Sequence, residues 1–344
     1  MGKLSVIAGM VMTKMPANII KMVYTPPPVF RGQEIDASAL AVGKVGEALR
    51  GGDEQQTIAE SRAQMEKVVA VFDEKGPDLS RIEDIKLSGA AGQIPARLYS
   101  DSNDVNTLKP AMVYFHGGGF VQGNLQTHNE SCKKLAAWSG AIIVAVDYRL
   151  APEHPYPAGI DDAIAAYLWV VENAKSLGID QSRIGVGGDS AGGCHAAVVA
   201  QQVRNSGGSI PAFQVLIYPV TDGHLNTQSI VELDDAYILP RERMTWYRDM
   251  YRADFADFDE PKFSPLHAND FSNLPKSYVL TGGYDPLWDD GKNYAAKLKS
   301  DGVEVTHRHF PGQIHAFLNI TKVIPEGTLA LKEIAQWMKQ ITQP

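Results

Sequence analysis

Apolar positions in this chain change their period twice. Between residues 6 and 72 they recur at three- and four-residue spacings, in 6–23 with a break at Pro16, in 37–49, and in 56–72, where Ile58, Met65, Val68, Val69 and Phe72 share one face. Those spacings predict amphipathic helices, and Pro26-Pro27-Pro28 must end whatever helix precedes it. The first 75 residues hold no strand-like run of note. From Ile82 the pattern becomes that of strands, in 82–87, 94–99, 111–115 and 141–146. The last two are unbroken apolar runs, which suits strands buried on both faces of a parallel sheet. Helical spacing in 131–139 separates them, and a Pro-rich loop follows Asp147. Then come helix 161–174, strand 183–187, helix 194–204 and strand 213–218, so strand and helix alternate in the manner of a doubly wound α/β sheet. Residues 223–262 interrupt this with charge, helical spacing and the aromatics Tyr237, Trp246, Tyr247, Tyr251, Phe255 and Phe258. Strand 277–281, helix 294–300, strand 303–308 and a closing helix 328–341 resume it.

This order divides the chain into an N-terminal helical cap segment (1–75), the first part of an α/β domain (76–222), a cap insertion (223–262) and the second part of the domain (263–344). An insertion above the C-terminal strand ends would cover the crevice where such sheets place their sites. A length of 344 residues allows two domains or one α/β domain with large insertions. The hydrophobic fraction of 44% and charged fraction of 21% exclude disordered and fibrous classes. A formal net charge of −8 argues against a nucleic-acid partner. Cys132 and Cys194, the two cysteines, supply neither a disulfide framework nor a thiolate metal site, and read as buried thiols. No run approaches the roughly 18 apolar residues of a membrane span. Lys14 and Lys21 interrupt the apolar N-terminal run, and no small-residue cleavage site follows it. The N-terminus therefore reads as an amphipathic helix of an uncleaved cytoplasmic protein, with export as the lesser alternative.

The turn from strand 183–187 to helix 194–204 is Gly188-Asp189-Ser190-Ala191-Gly192-Gly193. A serine on so sharp a turn needs glycines two residues before and after it, because a Cβ there would meet neighbouring backbone. The turn lifts the Ser190 hydroxyl out of the sheet and sets the Ala191 N–H at a helix start, facing developing negative charge. Alone, the pentapeptide fits a plain tight turn equally well. His116-Gly117-Gly118-Gly119-Phe120 follows strand 111–115. There the N–H groups of Gly118 and Gly119, with that of Ala191, would make a three-donor oxyanion hole. A phosphate cradle is the competing reading, but no G-x-G-x-x-G, no G-K-S/T and no suitably placed lysine accompanies these glycines.

A serine nucleophile needs a base, and the base an orienting acid. His315, in a loop after strand 303–308, shares the sheet edge of Ser190. His307 and His309 are expected at ordinary core or surface positions, His116 as a brace of the glycine loop, and His154 and His195 as structural. Asp285 leaves strand 277–281 first, stiffened by Pro286, while Asp289 and Asp290 open the next helix. Ser190, Asp285 and His315 then stand in the chain order of α/β-hydrolases. Phe120, Tyr237 and Phe317 are expected in the substrate pocket, and Asp147 and Arg149 are expected to fix the Pro-rich loop.

The glycine loop, the stretch 147–158 beginning Asp147-Tyr148-Arg149-Leu150-Ala151-Pro152-Glu153-His154, the elbow at Ser190, Asp285-Pro286-Leu287 and the His315 loop together resemble the hormone-sensitive-lipase-like esterases. These are the bacterial HGGG branch of the α/β-hydrolases, and the resemblance covers residues 80–342. It implies a mostly parallel eight-stranded sheet with helices on both faces, a helical cap, no cofactor and no metal. It also implies hydrolysis of short-chain acyl esters through an acyl-enzyme. An amidase or lactonase would use the same residues on another acyl bond. A long-chain lipase is disfavoured because 223–262 is charged rather than strongly apolar, and a non-catalytic small-molecule receptor would lack the base that His315 supplies. The expected partner is a small-molecule ester; homodimers are frequent among relatives, although no residue here carries that expectation.

Overall fold

Aliphatic residues fill both faces of the central strands, and every position of Ile142–Val146 and Phe213–Ile217 is buried. The computed structural model describes residues 16–50 and 57–343. In chain order its elements are α1 (Ala17–Val23), β1 (Val29–Phe30), β2 (Gln33–Glu34), α2 (Ala37–Arg50), α3 (Ile58–Phe72), β3 (Arg81–Gly89), β4 (Gly92–Ser100), β5 (Lys109–Phe115), α4 (Asn129–Ser139), β6 (Ile142–Val146), α5 (Ala158–Leu177), β7 (Ile179–Asp189), α6 (Ala191–Asn205) and β8 (Phe213–Ile217). They continue with α7 (Gln228–Glu232), α8 (Arg241–Arg252), β9 (Lys276–Tyr284), α9 (Trp288–Ser300), β10 (Val305–Ile314) and α10 (Pro325–Ile341).

The large sheet has the order β10-β9-β8-β7-β5-β6-β4-β3. It is parallel except where β4 pairs antiparallel with β3 and with β6. This is the expected mostly parallel eight-stranded α/β-hydrolase sheet. Period-two alternation sorts its side chains into two cores. Ala111, Val113 and Phe115 of β5 pack with Ile160, Ala163 and Val170 of α5 and with Ala196 and Val199 of α6. Met112 and Tyr114 face the other way, toward Leu135 of α4, Leu331 of α10 and Leu40 of α2. Each fully buried aliphatic side chain contributes roughly 1.5–3 kcal/mol. The small residues of α6 let it press against the sheet, and Ala196 to Ala200 are all buried. That pressure holds the helix start beneath Ser190.

Three differences from the sequence pattern are local. The first 75 residues contain the hairpin of β1 and β2, whose two-residue strands are too short to show a period. Strand β10 reaches Ile314 rather than stopping near 308, because a register shift between Phe310 and Ile314 carries its pairing with β9 past Pro311. The helix expected from residue 6 lies partly outside the described residues, and its later part is α1. Cys132 and Cys194 are free and buried. No described helix is long and apolar enough to cross a membrane.

Candidate active site

Strand β7 ends at Asp189 and α6 starts at Ala191, so Ser190 alone makes the turn, at φ 55° and ψ −116°. Non-glycine residues avoid this region, and packing on both sides enforces it here. A Cβ on Gly188 would overlap the Gly192 backbone and the Phe115 carbonyl, and one on Gly192 would overlap the carbonyls of Phe115 and His116. The Ser190 N–H donates to the Ile217 carbonyl at 2.9 Å, which ties the turn to β8.

Asp285 is the first residue after β9 and His315 the first after β10. Because β10, β9, β8 and β7 are adjacent and parallel, all three residues emerge at one edge of the sheet. His315 Nδ1 lies 2.8 Å from Asp285 Oδ2, and Nε2 lies 3.0 Å from Ser190 Oγ. A carboxylate only accepts, so the ring proton belongs on Nδ1 and the Nε2 lone pair faces the hydroxyl. Asp285 is wholly buried, its Oδ1 accepting from the Leu287 N–H at 2.9 Å. Tyr218 packs its ring 4.8 Å from the imidazole. The other two acids point elsewhere. Asp289 receives the Arg31 fork at 2.9 and 3.0 Å, and Asp290 accepts the N–H groups of Thr221 and Asp222.

The N–H groups of Gly118, Gly119 and Ala191 donate to nothing among the described residues. The loop carrying the first two is braced from below by Asp189, a role with no local sequence signal. Asp189 Oδ1 accepts from the Tyr114 hydroxyl at 2.7 Å and the Gly117 N–H at 2.9 Å, and lies 3.2 Å from His128 Nε2. Burial pushes this carboxyl upward, but His128, the Tyr114 hydroxyl and the Gly117 N–H outweigh it and hold the pKa at about 2. His116 also braces the loop, its Nδ1 lying 2.8 Å from the Gly117 carbonyl and its ring stacked 4.4 Å from Tyr148. Burial, with His128 nearby, lowers its pKa to about 4, so it is neutral.

The family model described as the alpha/beta hydrolase fold matches residues 112–319. The chain belongs to the α/β-hydrolase family. Within it, the hormone-sensitive-lipase-like branch indicated by the motifs is the right one. The hydrolase is 41% identical over 256 residues to the esterase LipI of Mycobacterium tuberculosis, covering 74% of this chain and 80% of that protein. It is 36% identical over 284 residues to an ethyl acetate hydrolase of Pseudomonas putida, covering 82% and 89%. Among solved structures, an ester hydrolase from the metagenome of Lake Arreo, complexed with a derivative of bipyridine phosphonate, superposes with a TM-score of 0.85 at 39% identity, covering 89% of this chain and 98% of that one. A hyperthermophilic esterase from Pyrobaculum calidifontis gives 0.80 at 39% identity, covering 87% and 97%.

In this hydrolase Ser190 and His315 open into a cavity of about 310 Å³. Its walls come from Val42, Met65, Val68 and Phe72 of the N-terminal helices, from the glycine loop, and from Tyr237, Met244, Tyr247 and Tyr251 of segment 223–262. Phe120 and Tyr237 line it, but Phe317 does not. Ala316, at φ 61°, turns the chain so that it faces the cavity itself, and Phe317 is driven under the sheet against Phe310 and Tyr218. Trp246, Phe255 and Phe258 pack into the core rather than the cavity wall. His195 is buried edge-on to Tyr148, whereas His154, expected to be structural, is exposed at the surface. His307 and His309 both reach the Thr281 hydroxyl, at 3.0 and 2.9 Å. Arg149 fixes the Pro-rich loop through Asp162 and the Ala158 carbonyl, while Asp147 contributes its N–H to the Pro95 carbonyl.

Four polar side chains at the cavity close a ring that nothing in the sequence announced. The Tyr247 hydroxyl accepts from Gln122 Nε2 at 2.8 Å and from Arg243 Nε at 3.0 Å. The Ser61 hydroxyl donates to Gln122 Oε1 at 2.8 Å and accepts from Arg243 Nη2 at 3.1 Å. The ring joins α3, the glycine loop and α8 in the wall of the cavity.

Proposed function

We propose that this carboxylesterase hydrolyses short-chain acyl esters through an acyl-enzyme on Ser190, with His315 as the base, Asp285 as its orienting acid and the N–H groups of Gly118, Gly119 and Ala191 as the oxyanion hole. The observation that carries the reading is the chain of contacts Asp285–His315–Ser190, at 2.8 and 3.0 Å, beside three undirected N–H donors. His315 Nε2 takes the Ser190 proton as Oγ attacks the ester carbonyl, and the three N–H groups receive the oxyanion. His315 then gives that proton to the leaving alcohol, and a water molecule, activated in the same way, releases the acid and frees Ser190. Asp285 steadies the imidazolium without taking its proton. The names of the relatives, an ethyl acetate hydrolase among them, favour esters over amides and lactones, and a cavity of about 310 Å³ suits a short acyl chain. The described part of the N-terminal segment 1–75 and the insertion 223–262 serve as a cap over this site, since both contribute cavity walls.

Steady-state hydrolysis of p-nitrophenyl esters from acetyl to palmitoyl tests the reading. Turnover is expected to be fastest on short chains and to fall by about 10⁴-fold or more in Ser190→Ala. Undiminished turnover in that variant, or a preference for palmitoyl, would overturn it.

A further inference from the structure

Segment 223–262 leaves the sheet after β8 and returns before β9, and four side chains meet where its two stems come together. Asp222 and His224 stand on the outgoing stem, Asp259 and His267 on the returning one. Asp222 Oδ1 lies 2.8 Å from His224 Nδ1 and 3.2 Å from His267 Nε2. Asp259 Oδ1 lies 3.7 Å from His224 Nε2 and 3.3 Å from His267 Nδ1. Each imidazole is therefore held between two carboxylates. An imidazolium donates from both nitrogens, but a neutral imidazole offers one N–H and one lone pair, so in the neutral state one of its two carboxylate contacts sets lone pair against lone pair. His267 Nε2 is a buried atom with no hydrogen-bond partner despite the nearby oxygen. The His267 contacts thus show proximity without hydrogen-bond alignment, as donor atoms aimed at a common point would, whereas Asp222 Oδ1 hydrogen-bonds His224 Nδ1 and also accepts the His224 backbone N–H at 2.9 Å.

We propose that Asp222, His224 and His267, with Asp259 swinging in as a fourth ligand, bind a divalent cation of the Zn²⁺ type that staples the two stems of segment 223–262. One oxygen of Asp222 and one nitrogen of each histidine lie within 4.8 Å of one another. Ligands at the usual Zn–N and Zn–O lengths stand about 3.3 Å apart around a tetrahedral ion, so small rotations complete the site. Two neutral imidazoles, two carboxylates and one divalent cation sum to zero charge. Imidazole and carboxylate together suit Zn²⁺, Co²⁺ or Ni²⁺, whereas Mg²⁺ and Ca²⁺ prefer oxygen alone. Phe258 stands edge-on to His224 at 5.7 Å and shields that side. None of the four residues lines the catalytic cavity, but Gly223 and Leu225 on either side of His224 do, as does Phe263. The cation would thus stiffen one wall of the cavity and take no part in acyl transfer.

The test strips the intact protein with EDTA and returns Zn²⁺ while following calorimetric titration, metal content, thermal unfolding and, with Co²⁺ in its place, visible absorption. The expected result is one Zn²⁺ per chain, a higher Tm, and tetrahedral Co²⁺ bands, with Mg²⁺ and Ca²⁺ giving none of these. Loss of a group that merely orients a ligand costs about 10–100-fold in affinity. His224→Ala and His267→Ala should each weaken binding at least that much and abolish the Co²⁺ bands, while matching the Tm of the stripped protein. Should either alanine variant fail to fold, His224→Gln and His267→Gln keep the side-chain bulk and carry the same expectation. Absence of stoichiometric uptake would make the four residues an ion-pair ring and overturn the proposal. So would uptake unchanged in the variants, since the ion would then sit elsewhere, for instance at His154 or His315.

Discussion

The two oxygens of Asp285 are divided between backbone and base. Oδ1 accepts the Leu287 N–H and Oδ2 faces His315 Nδ1. In Asp285→Asn the amide oxygen can keep the Leu287 bond, but the amide NH₂ then meets Nδ1 and drives the ring proton to Nε2, opposite the serine hydroxyl. Turnover should fall about 10⁴-fold with the fold intact; a variant within tenfold of the parent on p-nitrophenyl acetate would remove Asp285 from the role. Asp290, in the first turn of α9, answers to a different force. Burial first, and then the Asp222 charge, raise its carboxyl from 3.8 to about 7. The folded protein thus keeps a proton that the unfolded chain releases near 3.8, so this contribution to stability is complete below that pH and lost as pH rises through about 7. Asp290→Asn should therefore lose less stability than the parent between about pH 5 and pH 8 in urea unfolding; equal losses would refute the assignment. The residues that leave strand ends were legible in the sequence, because glycine or proline marks each exit. Asp189 was not, since its partners Tyr114, Gly117 and His128 lie 61 to 75 residues away. Phe317 misled for a related reason: the left-handed turn at Ala316 uses no glycine.

Elements were easier to read than the contacts between them. Long buried strands and helices with a strong period were visible at once, whereas β1 and β2 were too short to register and the end of β10 was hidden by the register shift before Ile314. The ring of Ser61, Gln122, Arg243 and Tyr247 joins three elements far apart in sequence, so no local pattern could disclose it. Tyr247→Phe tests whether it positions the glycine loop. Removing the hydroxyl strands Gln122 Nε2 and Arg243 Nε together, at a cost of about 1 kcal/mol, the low end for unpaired donors, because both side chains are only partly buried. If the ring only supports the cap, stability falls and kcat is preserved. If it holds Gly118 and Gly119 in place through Gln122, kcat on p-nitrophenyl acetate falls several-fold as well. The second outcome is expected, because the Gln122 N–H donates to the Gly118 carbonyl at 3.0 Å and so links the ring to the loop directly.

Across the whole molecule, the N-terminal helices must be fastened to the sheet if they are to form a lasting wall of the cavity. The fastening is a buried charge pair just beyond α3. Lys134 Nζ of α4 lies 2.9 Å from Asp73 Oδ1 and 2.7 Å from the Thr321 hydroxyl, and both charged side chains are almost wholly buried. The Lys322 N–H donates to the Phe72 carbonyl at 3.0 Å alongside it. A buried pair is weak evidence of net stabilisation, but breaking it from one side leaves an uncompensated charge and costs about 3–5 kcal/mol. Lys134→Met should destabilise by that much in urea unfolding. Adding Asp73→Asn should recover most of the loss, because the stranded carboxylate rather than the missing contact dominates it. Met65, Val68 and Phe72 of α3 line the cavity, so the single variant should also raise KM for a short ester more than it lowers kcat, and the double variant should restore KM. A Lys134→Met protein as stable as its parent would show that Asp73 finds water or takes up a proton, and that the apolar packing of α2 and α3 alone holds the N-terminal segment in place.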